Sequence, residues 1–129
     1  MPAVEQQIDV AVPVDAVYDQ WTRFEELPRF IEDVDEVHEV DETHLRWRAS
    51  HDGLSAEWTC EVVELRPQER IAWRSTSGVT HGGVLSFLRL DDGMTRVVVM
   101  ADIDGGDPDA VAERIDAALT GFKALMERR

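Results

Sequence analysis

The chain carries one cysteine (Cys60), one lysine (Lys123) and one tyrosine (Tyr18) in 129 residues. A lone cysteine excludes an internal disulfide framework and any multi-cysteine zinc site. No apolar run approaches the ~18 residues of a membrane span, so no stable membrane insertion is expected. There is no Gly-x-Ser-x-Gly elbow, no phosphate-binding glycine loop and no His-Glu-x-x-His pattern. The histidines His38, His44, His51 and His81 lack metal-ligand spacing, so neither a metal nor a cofactor is expected. The opening Met1-Pro2-Ala3-Val4-Glu5 has no basic n-region and no apolar h-region, and a cytoplasmic protein is expected. Positive charge is also scarce. Lys and Arg number 13 against 27 Asp and Glu, a net charge of −14. A field of that sign repels phosphate backbones and anionic membrane surfaces, which argues against nucleic-acid partners.

What remains is a globular composition, 43% hydrophobic and 31% charged, of a length that implies one domain over residues 1–129. Val4, Gln6, Ile8 and Val10 share a parity and predict a strand that Pro13 closes. Val14, Val17, Tyr18 and Trp21 fall at helical spacing. Phe24 to Phe30 predicts a second short helical turn, disturbed by Pro28. From Val34 the period changes to two. Strands are predicted over Val37–Val40, His44–Ala49, Leu54–Leu65, Arg70–Ser75, Val84–Leu90 and Thr95–Ile103. Asp52-Gly53 and Asp92-Gly93 are hairpin signals, and Pro67 marks a turn. Ser77-Gly78 and Gly82-Gly83 are expected to flank a loop.

After Gly105-Gly106, Asp107 suits an N-cap and Pro108 a first helical position. Val111, Ile115, Ala118, Leu119, Phe122 and Leu125 then form one stripe of an amphipathic helix of roughly 20 residues. The order is strand, two short helices, six strands linked mostly by tight turns, and one long helix. It predicts an α+β fold with a seven-stranded curved antiparallel sheet wrapped around the C-terminal helix. Such a sheet, gripped by one helix, leaves a cavity between the layers.

This order resembles the helix-grip fold of the START and Bet v 1-like (SRPBCC) superfamily. The stretch from Ile8 to Trp21 resembles its opening strand, proline and helix. Phe24-Glu25-Glu26-Leu27-Pro28-Arg29-Phe30, Leu45-Arg46-Trp47-Arg48-Ala49, Arg70-Ile71-Ala72-Trp73-Arg74-Ser75 and Phe122-Lys123-Ala124-Leu125-Met126-Glu127 are similar to the bacterial polyketide cyclase/dehydrase-like branch. The resemblance covers essentially the whole chain. It implies binding of a small hydrophobic molecule that is polyketide-, lipid- or quinone-like. It also implies an alternative, a cyclase or dehydratase acting on a poly-β-carbonyl chain. The connection Asp104-Gly105-Gly106-Asp107 is shorter than is usual in that branch, which points to a smaller or differently lidded cavity.

Trp47, Trp58 and Trp73 lie on three successive strands, each on the apolar parity. They would wall a cavity for a flat ligand or fill the core. The full set of expected lining residues is Trp21, Trp47, Trp58, Trp73, Phe87, Met100, Leu119 and Phe122. Cys60 sits mid-strand on the same parity and reads as a small buried hydrophobe. His44 shares the charged parity of its strand and reads as solvated. For the cyclase alternative, Tyr18, His38 and His81 are the polar candidates for enolisation and loss of water. Arg46, Arg48 and Arg74 fall on the outer parity and are expected to pair with Glu57, Glu61 and neighbouring acids.

Overall fold

The computed structural model of the protein describes residues 3–31, 34–51, 53–77, 81–103 and 108–128. Strand β1 (Ala3–Val10) leads into helix α1 (Val14–Trp21) and a 3-10 helix (Phe24–Arg29). Six strands follow: β2 (Val34–Glu39), β3 (His44–His51), β4 (Leu54–Arg66), β5 (Arg70–Ser77), β6 (His81–Asp91) and β7 (Met94–Ile103). Helix α2 (Pro108–Glu127) closes the chain. The described strands form one seven-stranded antiparallel sheet in the order β1-β7-β6-β5-β4-β3-β2. Neighbours in sequence are neighbours in the sheet, except that β1 pairs with β7, from Ala3↔Asp102 to Val10↔Thr95.

Alternation sets the inner face. Leu45, Cys60, Ile71, Leu85, Val97 and Val99 are buried on successive strands. Bulges interrupt the ladder between Val34 and Glu36, at Thr59/Cys60 and Val62/Glu64, and between Arg89 and Asp91. A bulge bends its strand and increases twist, so these four curl the sheet towards α2. The fold is the expected α+β helix-grip arrangement.

Helix α2 buries Leu119, Phe122 and Met126, all in its second half. Phe122 meets Trp21 and Phe30 at ring-centre distances of 4.8 and 5.1 Å, and Trp21 meets Phe30 edge-on at 4.9 Å. Gly121 makes this approach possible, because a Cβ there would lie 2.4 Å from the Phe30 carbonyl oxygen. Polar contacts fix the helix end to β1. Lys123 Nζ donates to the Asp9 carbonyl at 2.7 Å and to Glu127 Oε2 at 2.8 Å. Glu127 Oε2 also accepts the Ala11 N–H at 2.7 Å. Asp9 pairs with Arg96 of β7 at 2.7 Å. Fully buried Thr95 donates its hydroxyl to the Val12 carbonyl at 2.8 Å.

Some local expectations are corrected. The second short helix is 3-10 in character. Gly82 and Gly83 lie inside β6, paired with Arg74 and Trp73 of β5. Strand β2 starts at Val34, three residues before the expected Val37. Asp52, Gly78 and the connection Asp104–Asp107 lie outside the described residues. Two of the outer arginines find carboxylates, Arg74 on the expected Glu61 at 3.0 Å and Arg48 on Glu36 at 3.1 Å. Exposed pairs of this kind contribute about 0–1 kcal/mol each.

Two outcomes follow from the seating of α2. Gly121→Ala forces the helix off Phe30 and lowers unfolding free energy by about 1–3 kcal/mol, read by urea titration. Glu127 has its pKa lowered, first by the Ala11 N–H and then by Lys123. A depressed carboxylate stabilises the fold above its unfolded pKa and loses that contribution as pH falls through the folded value. Glu127→Gln therefore lowers the urea midpoint at pH 7, and its gap from the parent protein closes on acidification below the ordinary glutamate range.

Candidate functional site

Between the inner face of the sheet and the first half of α2 lies a cavity of about 300 Å³. Strands β3 and β4 supply Leu45, Trp47, Trp58, Cys60 and Val62 to its floor. Strands β5 to β7 add Ile71, Trp73, Leu85, Val99 and Ala101. Trp21 of α1, with Phe24, Leu27, Ile31 and Val34, closes one side. Val111, Arg114, Ile115, Ala118 and Leu119 of α2 form the roof. All four tryptophans of the chain therefore line one space. Arg114 is the one charged side chain among the described lining residues.

Sheet register builds the aromatic wall. Trp47 and Trp58 are direct partners across β3 and β4, and their rings stack at 5.8 Å with planes 8° apart. The Trp47 indole N–H donates to Cys60 Sγ at 3.0 Å. Burial pushes the Cys60 thiol pKa up, against a smaller lowering by Trp47. The sulfur stays a neutral thiol at neutral pH and is no activated nucleophile. Trp73 lies opposite Gly83 of β6. A Cβ on Gly83 would sit 2.7 Å from the Trp73 ring and 2.7 Å from the Met100 carbonyl oxygen. The missing side chain lets the indole rest against the strand, as close packing of a ring on backbone requires. Trp21 is 7% exposed, and its indole N–H has no hydrogen-bond acceptor among the described residues. Its position is set by the Phe30 and Phe122 rings.

The structure thus brings Trp21, Trp47, Trp58, Trp73 and Leu119 to one cavity, and places the other three expected lining residues elsewhere. Phe87 is buried two residues beyond Leu85 along β6 and packs edge-on against Tyr18 at 5.6 Å. Phe122 is fully buried behind Trp21. Met100 is 49% exposed on the outer face, because Val99 and Ala101 take the inner parity. The run from Val97 to Met100 is apolar on both faces, so its parity is hidden in the sequence.

The polar candidates separate as well. Tyr18 is half-buried against Phe87, off the cavity, and burial raises its pKa. His38 points outward, 3.6 Å from Glu25, with a side chain 60% exposed. The bulge between Val34 and Glu36 buries Val37 and turns His38 away. His81 opens β6, and its side chain lies outside the described residues, as does that of His51. His44 is held outside by Asp41 at 2.9 Å. Among the described residues no group of three His, Cys, Asp or Glu could hold a metal ion, and no helix is long and apolar enough to cross a membrane.

Several lining residues were visible only as apolar positions. Phe24, Leu27 and Ile31 read as one side of a short helix, and Val111, Ile115 and Ala118 as a stripe. Arg114 was missed altogether. Its only signal is spacing, three residues after Val111 and four before Ala118, which places it at the edge of that stripe.

Comparison with known proteins assigns the family. Residues 10–119 match the family described as polyketide cyclase / dehydrase and lipid transport. The chain belongs to this family. One curated relative is an uncharacterized 17.2 kDa protein in the melC2-rnhH intergenic region of Streptomyces lincolnensis. It is 38% identical over 123 residues, covering 95% of this chain and 79% of that protein. A START superfamily protein from Mycobacterium smegmatis superposes with a TM-score of 0.86 at 13% identity, covering 98% of this chain and 97% of that one. The Zhui aromatase/cyclase from Streptomyces sp. R1128 gives 0.80 at 22% identity, covering 99% and 94%. At such identities the structural likeness carries the fold. Within this polyketide cyclase / dehydrase fold, the position of the Trp73 ring depends on Gly83. Gly83→Ala is expected to destabilise the protein by about 1–3 kcal/mol and to shift its tryptophan emission, read by urea titration and fluorescence spectra.

Proposed function

We propose that the protein binds a small hydrophobic or aromatic molecule in the cavity between sheet and α2, as a carrier or receptor, with residues 1–129 acting as one binding unit. The observation that carries this reading is the convergence of all four tryptophans on an apolar space of about 300 Å³. Ligand pockets span ~300–1,000 Å³ and are mostly apolar. This one lies at the small end, which suits a body of two or three fused rings, quinone-like or polyketide-derived, better than a long chain. Burial of such a body supplies about 25 cal/mol per Å² of apolar surface before association costs. Stacked Trp47 and Trp58 add a flat face.

The alternative, a polyketide cyclase or dehydratase, draws support from the family description and from the aromatase/cyclase among its structural neighbours. Such a reaction would use the cavity to fold a chain and a few polar groups to move protons. Tyr18 and His38 lie off the cavity, while the His81 side chain lies outside the described residues; the apolar lining supports holding a ligand.

Ligand binding is tested by tryptophan fluorescence and native mass spectrometry. Protein isolated from its own host is expected to carry a defined extra mass that organic solvent releases. Ala118→Phe fills the roof of the cavity. It is expected to abolish that extra mass and to weaken quenching by bicyclic aromatic compounds at least tenfold, with the circular-dichroism spectrum unchanged. Quenching that survives Ala118→Phe intact would place the ligand elsewhere. Turnover of a poly-β-carbonyl thioester by the parent protein would favour the cyclase.

A further inference from the structure

We propose that the ligand is an acid: an apolar ring system carrying one carboxylate, which Arg114 holds at the mouth of the cavity. The inference rests on the cavity being the binding site and names the class of molecule that it takes. Three observations carry it.

The first is position. Val111, Ile115 and Ala118 present an apolar stripe to the cavity, and Arg114 occupies its edge on the same helix. Asp109, Glu113, Asp116 and Glu127 of α2 are exposed and Lys123 is half-buried, and none of them lines the cavity. The second is exposure. Arg114 is an exposed residue that also lines the cavity, so it bridges the apolar interior and solvent. An arginine stem covers apolar surface while its head stays wet. The third is charge. The chain bears −14 overall, a field that repels anions, and Arg114 is the local exception at the cavity.

The physical argument joins these. A carboxylate drawn into an apolar space loses its hydration and gains nothing. A carboxylate left at the mouth stays partly hydrated and meets a planar fork of donors, while its ring body is buried. Arg114 has interactions of its own within the protein. A guanidinium carries five N–H donors, enough to serve a neighbour and a ligand together. Its fork matches a carboxylate in two parallel hydrogen bonds, which orients the ligand as well as attracting it. A neutral molecule of the same shape would fill the cavity without that orientation.

The test pairs two probes of one shape, 2-naphthoate and 2-naphthamide, titrated at neutral pH with tryptophan quenching and calorimetry as readouts. The parent protein is expected to bind the carboxylate about five- to tenfold more tightly than the amide. Arg114→Gln is expected to bring the two within about twofold, with amide affinity unchanged, which shows that the cavity is intact. Arg114→Lys is expected to keep part of the preference, and added salt to reduce it in the parent protein. Equal binding of the two probes by the parent protein would overturn the inference and leave cavity binding standing. A preference that survives Arg114→Gln would overturn it equally. Binding of neither probe would overturn the cavity reading, and this inference with it.

Discussion

The contact of Gly121 with the Phe30 carbonyl governs the geometry of this protein. It lets α2 come down on the turn after the 3-10 helix at backbone distance, because no Cβ stands between them. The Trp21, Phe30 and Phe122 rings then close around that point. Aromatic pairs of this kind add about 0.5–1.5 kcal/mol each beyond their buried area. The clamp of Lys123 and Glu127 on β1 holds the same end of the helix. The second half of α2 is therefore sealed, with Leu119 and Phe122 fully buried. The first half is not: Val111 and Ile115 are only half-buried. One end tight and the other standing off is a wedge, and the cavity is the opening of that wedge.

An unfilled apolar space has an energetic consequence. Residual cavities lower stability by about 24 cal/mol per Å³ in packed cores, so an enclosed space of this size would forgo several kcal/mol. Marginal domains have only about 5–15 kcal/mol in total. The aromatic cluster and the polar clamp offset this loss at the sealed end. A ligand that fills the space restores the missing contacts and raises stability by mass action.

The sequence was legible where one periodicity ruled. Trp47, Trp58 and Trp73 alternate with charged neighbours on hairpin-linked strands, and their common face followed directly. The α2 stripe followed from spacing, though Met126 at its far end was overlooked. Legibility failed where a pattern was doubled or broken. Val97-Val98-Val99-Met100 is apolar on both parities, so the pattern does not show that Met100 faces outward. The bulge after Val34 shifts the register of β2 and turned His38 outward. Gly82-Gly83 has the composition of a loop, yet it sits in β6 because a ring from the next strand needs the room. That requirement is tertiary, and nothing local in the sequence announces it. Phe87 and Phe122 face inward as expected but lie beyond the cavity, since parity tells which face a residue takes and not how far along the strand or helix the space extends.

Polarity in this site is distributed by depth. The deep wall offers indole rings and one neutral thiol, whose proton burial retains. Neither is a general base at neutral pH. Of the titratable candidates, Tyr18 lies behind Phe87 and His38 beside Glu25, both outside that wall. A ligand would therefore meet apolar surface first and charge only at the rim, where Arg114 stands. Under the proposal, such an arrangement would discriminate by shape in its depth and by charge at its mouth. Charged groups kept at the rim cost little desolvation when the cavity is empty, whereas a buried charge would have cost several kcal/mol.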